Sequence, residues 1–129
     1  MSQLDSKPGE RRARSSAAGD AQLDQTFGAL ADPTRRGVID LLRREPRRAS
    51  DIADALGTSR PAMSRHLRVL RQSGLVEASS QPDARERVYS LRPERFGELR
   101  EWLDEVEAFW SNQLAAFAAH VATRKRDRR

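Results

Sequence analysis

The chain has 129 residues, 37% hydrophobic and 33% charged, enough for one domain with a thin core and too few for two. No apolar run approaches the roughly 20 residues that cross a bilayer, and none follows the polar start, so a soluble, cytoplasmic protein without a secretory signal is expected. Cysteine is absent, which removes disulfides, thiolate metal ligands and thiol nucleophiles together.

The formal charge is +5, and 22 of the 24 cationic side chains are Arg. Arg presents a planar fork that matches phosphate and guanine edges, which Lys does not. Codon bias in a GC-rich genome would also enrich Arg, so its placement along the chain has to decide between the two.

Residues 1–20 are Ser, Ala, Gly, Pro and charge with no apolar period, and read as a disordered tail made basic by Lys7, Arg11, Arg12 and Arg14. Such a tail is either a solubilising end or an arm that touches nucleic acid. A short helix is expected over residues 23–31, with Leu23, Phe27 and Leu30 on one face. Asp32-Pro33 reads as an N-cap and first helical residue, opening a second helix that runs to about Arg44 before Pro46 stops it. Its apolar face is Val38, Leu41 and Leu42, with Ile39 alongside.

Ser50 reads as the next N-cap, with Asp51 in the first turn, a buried stripe of Ile52, Ala53 and Leu56, and Gly57 as a left-handed ending. A fourth helix covers residues 60–73, capped by Ser59, tolerating Pro61 in its first turn and closed by Gly74. Residues 75–79 and 87–91 have strand composition around a polar loop, which predicts a hairpin with a protruding tip. A long helix follows over about 94–122, and a second basic tail over 123–129. The expected fold is mostly α with one small β-hairpin, in the order α-α-α-α-β-β-α, with a domain over 21–122.

Two short helices joined by Gly57-Thr58-Ser59 and followed by a hairpin form the pattern of a winged helix-turn-helix, in which the first helix braces the second against a duplex. In the second helix Ala62, Met63, Leu67 and Leu70 can face a core, leaving Arg60, Pro61, Ser64, Arg65 and Arg68 outward at steps of three and four. From Arg60 to Ser73 there are four Arg and no acid, whereas acids are interspersed elsewhere, so codon bias does not explain the stretch. We assign this helix to the major groove of double-stranded DNA, with Arg60 and Arg65 on base edges and Arg68 on phosphate. Ser59 and Ser64 are candidate phosphate donors, with a plain N-cap the alternative role for Ser59. His66 either touches phosphate or packs at the helix–helix contact. Arg85 and Arg87 of the hairpin would reach the adjacent minor groove or backbone, with Asp83 and Glu86 opposing them.

In the long helix Leu99, Leu103, Val106, Trp110, Leu114, Phe117 and Val121 recur at steps of three and four, close to a coiled-coil seam, and Trp102 and Phe109 add a second stripe. Residues 94–122 carry a net −4, leaving +9 on the rest of the chain. Acid therefore concentrates on the element expected to lie away from DNA and to pair with a second copy.

These residues carry a family resemblance. The opening Phe27-Gly28-Ala29-Leu30-Ala31-Asp32-Pro33-Thr34-Arg35-Arg36, the run Ser59-Arg60-Pro61-Ala62-Met63-Ser64-Arg65-His66-Leu67-Arg68-Val69-Leu70 with Ser73-Gly74-Leu75-Val76, the strand Arg87-Val88-Tyr89-Ser90-Leu91, and Phe109-Trp110 with Leu114 resemble ArsR/SmtB-type repressors over about residues 23–121. The resemblance implies a homodimer through the first and last helices, adding Leu23 and Phe27 to the interface. It also implies repression from a pseudo-palindromic operator, often the protein's own promoter, in the bacterial nucleoid. Metal sensing does not carry over. Arg48-Ala49-Ser50-Asp51-Ile52-Ala53 stands where sensors have a Cys pattern, and His120 lacks the partners of a zinc pair. No cofactor or metal is expected. A small-molecule effector stays open, with no polar constellation pointing to one.

Other classes are weaker. Two His, no Cys and no glycine-rich phosphate loop leave no catalytic constellation. An architectural, low-specificity DNA binder is compatible with the basic ends, and predicts little preference between operator and random duplex.

Overall fold

The computed structural model describes residues 8–80 and 85–127. The expected tail residues 1–7, with Lys7, and the wing tip 81–84, with Asp83, lie outside the described residues, as do the side chains of Arg11, Arg12 and Arg14. Five helices and three strands follow in order: α1 (Pro8–Leu30), α2 (Pro33–Leu42), β1 (Arg47–Arg48), α3 (Ala49–Leu56), α4 (Arg60–Gln72), β2 (Val76–Ser79), β3 (Val88–Leu91) and α5 (Pro93–Asp127). They fall into two compact units, Met1–Phe96 and Gly97–Arg129.

The caps read from the sequence hold at α2 and α4. Asp32 is extended, and its carboxylate accepts the Arg35 N–H at 3.0 Å. Ser59 Oγ accepts the Ala62 N–H at 3.3 Å. Each relieves a helix N-terminus of one orphan donor. The hydrogen bond from Arg35 is the main reason that the Asp32 pKa lies below its ordinary 3.8, with burial opposing it in part. A carboxyl whose folded pKa is depressed contributes stability that is full above its unfolded pKa and is lost as pH falls through the lower folded one. The stability gap between wild type and Asp32→Ala is therefore expected to be full at about pH 7 and to narrow as the solution is acidified below the ordinary 3.8, in urea titrations across that range. An equal gap throughout would exclude the carboxylate charge from the cap.

The core of the first unit gathers Val38 and Leu42 from α2, Ile52 and Ala53 from α3, Met63, Leu67 and Leu70 from α4, and Leu75 and Val76 at the start of the wing. Ala29 joins it from α1, beside a buried Thr26 whose hydroxyl donates to the Gln22 carbonyl at 3.1 Å. Phe27 is 42% exposed, so the buried stripe of α1 runs through Thr26 and Ala29, with Leu30 packed against the core beside them.

Three expectations need correcting. Helix α1 begins at Pro8, so residues 8–20 are helical where the sequence reading had tail. They lack an apolar period, but six of the thirteen are Ala or Arg, whose helix propensity needs no buried face, and Pro8 sits where a first turn accepts it. Likewise α5 continues to Asp127, past the expected end near 122. Third, Ser50 is not the N-cap of α3. Arg48 occupies that position with extended backbone (φ −78°, ψ 154°) and makes no side-chain cap. The cause is β1, which the sequence reading lacked: Arg47 and Arg48 pair antiparallel with Tyr89 and Val88, and the strand feeds straight into the helix at Ala49. The sheet is thus three-stranded, in the order β1-β3-β2.

Candidate nucleic-acid interface

The turn between α3 and α4 is set by Gly57, at φ 63°. This left-handed conformation costs an L side chain roughly 1–2 kcal/mol. It lets the Thr58 N–H reach the Ala53 carbonyl (3.0 Å) and the Gly57 N–H the Asp54 carbonyl (3.3 Å), the paired bonds of a Schellman ending. Two residues on, Ser59 caps the start of α4. At its far end Gly74 (φ 74°) repeats the device: Leu75 N–H bonds to the Leu70 carbonyl and Gly74 N–H to the Arg71 carbonyl, both at 3.0 Å. Leu75 is thereby driven into the core and the chain enters the wing.

With Met63, Leu67 and Leu70 buried, α4 presents Arg60, Pro61, Ser64, Arg65, Arg68, Arg71 and Gln72 exposed. Ser59 is exposed at its head. The side chains expected to meet DNA from this helix thus share one surface, apart from His66, which is half-buried.

The ring of His66 turns toward α2, its Nδ1 lying 3.4 Å from Arg35 Nη1. A guanidinium only donates, so in this arrangement Nδ1 is the acceptor and the ring proton sits on Nε2. Of the two roles expected for His66, this is the packed position at a helix–helix contact. Arg35 also donates from Nε to the Ala29 carbonyl (2.6 Å) and from Nη2 to the Gly28 carbonyl (3.1 Å). Arg36 Nη1 takes the Leu30 and Ala31 carbonyls at 2.7 and 3.2 Å. These four carbonyls lie at the end of α1, where a helix leaves acceptors unsatisfied and favours cations.

In the wing, Arg85 and Arg87 are exposed, flanking a half-buried Glu86. Glu86 Oε2 accepts the hydroxyl of Ser50 at 2.7 Å. Arg48, next to both, pairs with Asp51 at 3.1 Å, and its pKa is raised by Asp51 first and more weakly by Glu86. One of the two acids set against the wing's cations is thus engaged by α3. Sequence reasoning found neither the Arg35–His66 nor the Ser50–Glu86 contact: each joins residues more than thirty positions apart, and no local spacing encodes such a pair.

Among the described residues no group of three or more His, Cys, Asp or Glu is placed to hold a metal ion, and no helix is long and apolar enough to cross a membrane.

A helix pair with a tight left-handed turn, an outward cationic face on its second helix and a following antiparallel hairpin define a winged helix-turn-helix. Residues 32–78 match the family described as bacterial regulatory protein, arsR family. The chain is 39% identical over 95 residues to the HTH-type transcriptional regulator Rv2034 of Mycobacterium tuberculosis, covering 74% of this chain and 84% of that one. It is 39% identical over 54 residues to the transcriptional repressor SdpR of Bacillus subtilis, covering 42% and 60%. In structure it is similar to the homodimeric winged helix-turn-helix DNA-binding domain of a possible ArsR-family regulator from Mycobacterium bovis, with a TM-score of 0.59, 29% identity, and coverage of 72% of this chain and 84% of that one. The chain belongs to the ArsR family of DNA-binding transcriptional regulators, a class without enzymatic activity.

Proposed function

We propose that the protein is a homodimeric repressor that reads a pseudo-palindromic operator, with α4 in the major groove and the wing on the adjacent minor groove or backbone. One observation carries this reading: the exposed side of α4 holds four Arg and no acid, on a helix whose other side is anchored by three buried apolar residues. Such a helix can be pressed into a groove without unfolding its support. Repression and dimerisation are supported by likeness to a named repressor and to a homodimeric domain. The dimer surface is the exposed apolar stripe of α5, with Leu23 and Phe27 of α1. It places two α4 helices on two half-sites about one helical turn apart, and its site of action is the cytoplasmic nucleoid.

The test is a binding titration of the purified protein on its own upstream promoter against random duplex, at near-physiological salt. A preference of about a thousandfold or more is expected of a specific regulator. Near-equal affinity would replace this reading with the architectural one. On the preferred site, Arg65→Ala is expected to lose about 1–3 kcal/mol and to relax specificity at one base position. Equal losses on both duplexes would move Arg65 from base edge to phosphate.

A further inference from the structure

Helix α2 packs against both α1 and α4, and one of its side chains holds an acceptor on each. The half-buried guanidinium of Arg35 donates from Nε to the Ala29 carbonyl at 2.6 Å and from Nη2 to the Gly28 carbonyl at 3.1 Å, both at the end of α1. Its remaining nitrogen, Nη1, meets Nδ1 of His66 on α4 at 3.4 Å. The backbone beneath it is held as well, since the Arg35 N–H donates to the Asp32 carboxylate at 3.0 Å. A planar fork bonded through all three nitrogens has little freedom to turn, so the end of α1 sets the place of His66. Phe27, the residue before Gly28, belongs to the dimer surface proposed above.

We propose that Arg35 is a positioning residue for DNA reading: through His66 it fixes the seat of α4 on α1, and with it the separation of two recognition helices in a dimer. The inference rests on the operator reading above and adds the residues that set its geometry. The contact holds only while His66 is neutral. A guanidinium and a protonated imidazole both donate and neither accepts, so a proton on Nδ1 removes the bond and leaves two cations face to face.

Other charges around the ring do not restore the bond. The Asp32 carboxyl is held below its ordinary range chiefly by the Arg35 N–H, and in smaller part by the charge of His66. That carboxylate offsets some of the repulsion but gives Arg35 no acceptor in place of Nδ1. The end of α1 presents the negative pole of its dipole, and Arg35 already holds the two carbonyls there. On α4 the residues three and four positions from His66 are Ala62, Met63, Val69 and Leu70, none of them charged. A protonated chain therefore relieves the repulsion by moving α4, and has to reverse that movement to fit its operator. Binding to random duplex depends on total charge and asks for no such fit. A histidine that touched phosphate would instead strengthen both on protonation.

The readout is the ratio of the full chain's affinities for its upstream promoter and for random duplex, at about pH 8 and about pH 5.5, which bracket the range where histidine changes charge. Between them the wild-type ratio is expected to fall on the order of tenfold, the effect of losing one charge-assisted hydrogen bond. His66→Asn sets an amide oxygen close to the place of Nδ1 and does not titrate, so its ratio is expected to be equal at the two pH values. Arg35→Lys keeps the charge without the fork. It is expected to start about tenfold lower and to fall no further on acidification, with dimer mass and helix content unchanged. A wild-type ratio that holds or rises on acidification, or a fall that persists in His66→Asn, would overturn the proposal. So would a folded Arg35→Lys with the wild-type ratio; should that variant not fold, the comparison of wild type with His66→Asn decides alone. Absence of any promoter preference in the wild type at the higher pH would overturn the operator reading and this inference with it. Preference without pH dependence would overturn this inference and leave the operator reading standing.

Discussion

Truncation of Leu70 to alanine is expected to cost about 2–5 kcal/mol of folding stability, the range for a buried leucine whose cavity closes only in part. Leu70 has no solvent exposure. It faces the core from α4, and its carbonyl accepts the Leu75 N–H that turns the chain into the wing. Among the described residues ten apolar side chains form the buried core, so few neighbours are available to refill the space. Against a total of roughly 5–15 kcal/mol for a typical domain, such a loss leaves the protein partly unfolded at ordinary temperature. Urea denaturation of Leu70→Ala beside Arg68→Ala checks it. Arg68 stands exposed on the same helix, where removal of a surface side chain shifts stability by about 0.5 kcal/mol or less. Equal midpoints for the two variants would show that Leu70 does not hold α4 in place.

Leu114→Asp is expected to convert a dimer into a monomer while leaving the chain folded. Leu114 is 62% exposed, and Phe109, Trp110 and Phe117 beside it are exposed by 60%, 61% and 66%. A carboxylate there meets water in the single chain and is buried against hydrocarbon only when a second copy covers it. An uncompensated charge in such a place costs several kcal/mol, which is more than a hundredfold in association. Operator affinity should fall with it, because one copy reaches only one half-site. Sedimentation equilibrium gives the mass and circular dichroism the helix content. An unchanged dimer mass would take Leu114 out of the interface, and a loss of helicity would mean that it supports its own chain.

Much of the DNA-reading unit was legible because its punctuation is local. Asp32-Pro33, Gly57, Ser59 and Gly74 act through residues within five positions of themselves, and a sequence window contains all that they need. The apolar stripe of α4 was readable for the same reason, since burying Met63, Leu67 and Leu70 sends Arg60, Arg65 and Arg68 outward. Strand β1 was not legible. Two arginines have no strand signature, and their partners Tyr89 and Val88 lie some forty residues on. That missed strand also misassigned Ser50, because a serine before an apolar helical stripe resembles a cap until something else holds the backbone ahead of it. The start of α1 was missed for a different reason: the reading relied on apolar period, and residues 8–20 are helical without one.

The wing and the recognition helix do not have separate foundations. β1 is only two residues long and runs without a linker into α3, and Ser50, in the first turn of α3, holds Glu86 between the two exposed arginines of the wing. α3 in turn braces α4 through the Gly57 turn. In the proposed complex the groove contact of α4 and the contact of the wing would therefore stand on one frame, coupled through the first turn of α3. On that reading, binding free energies lost by substitutions in α4 and in the wing are expected not simply to add, as they would for contacts carried on independent supports.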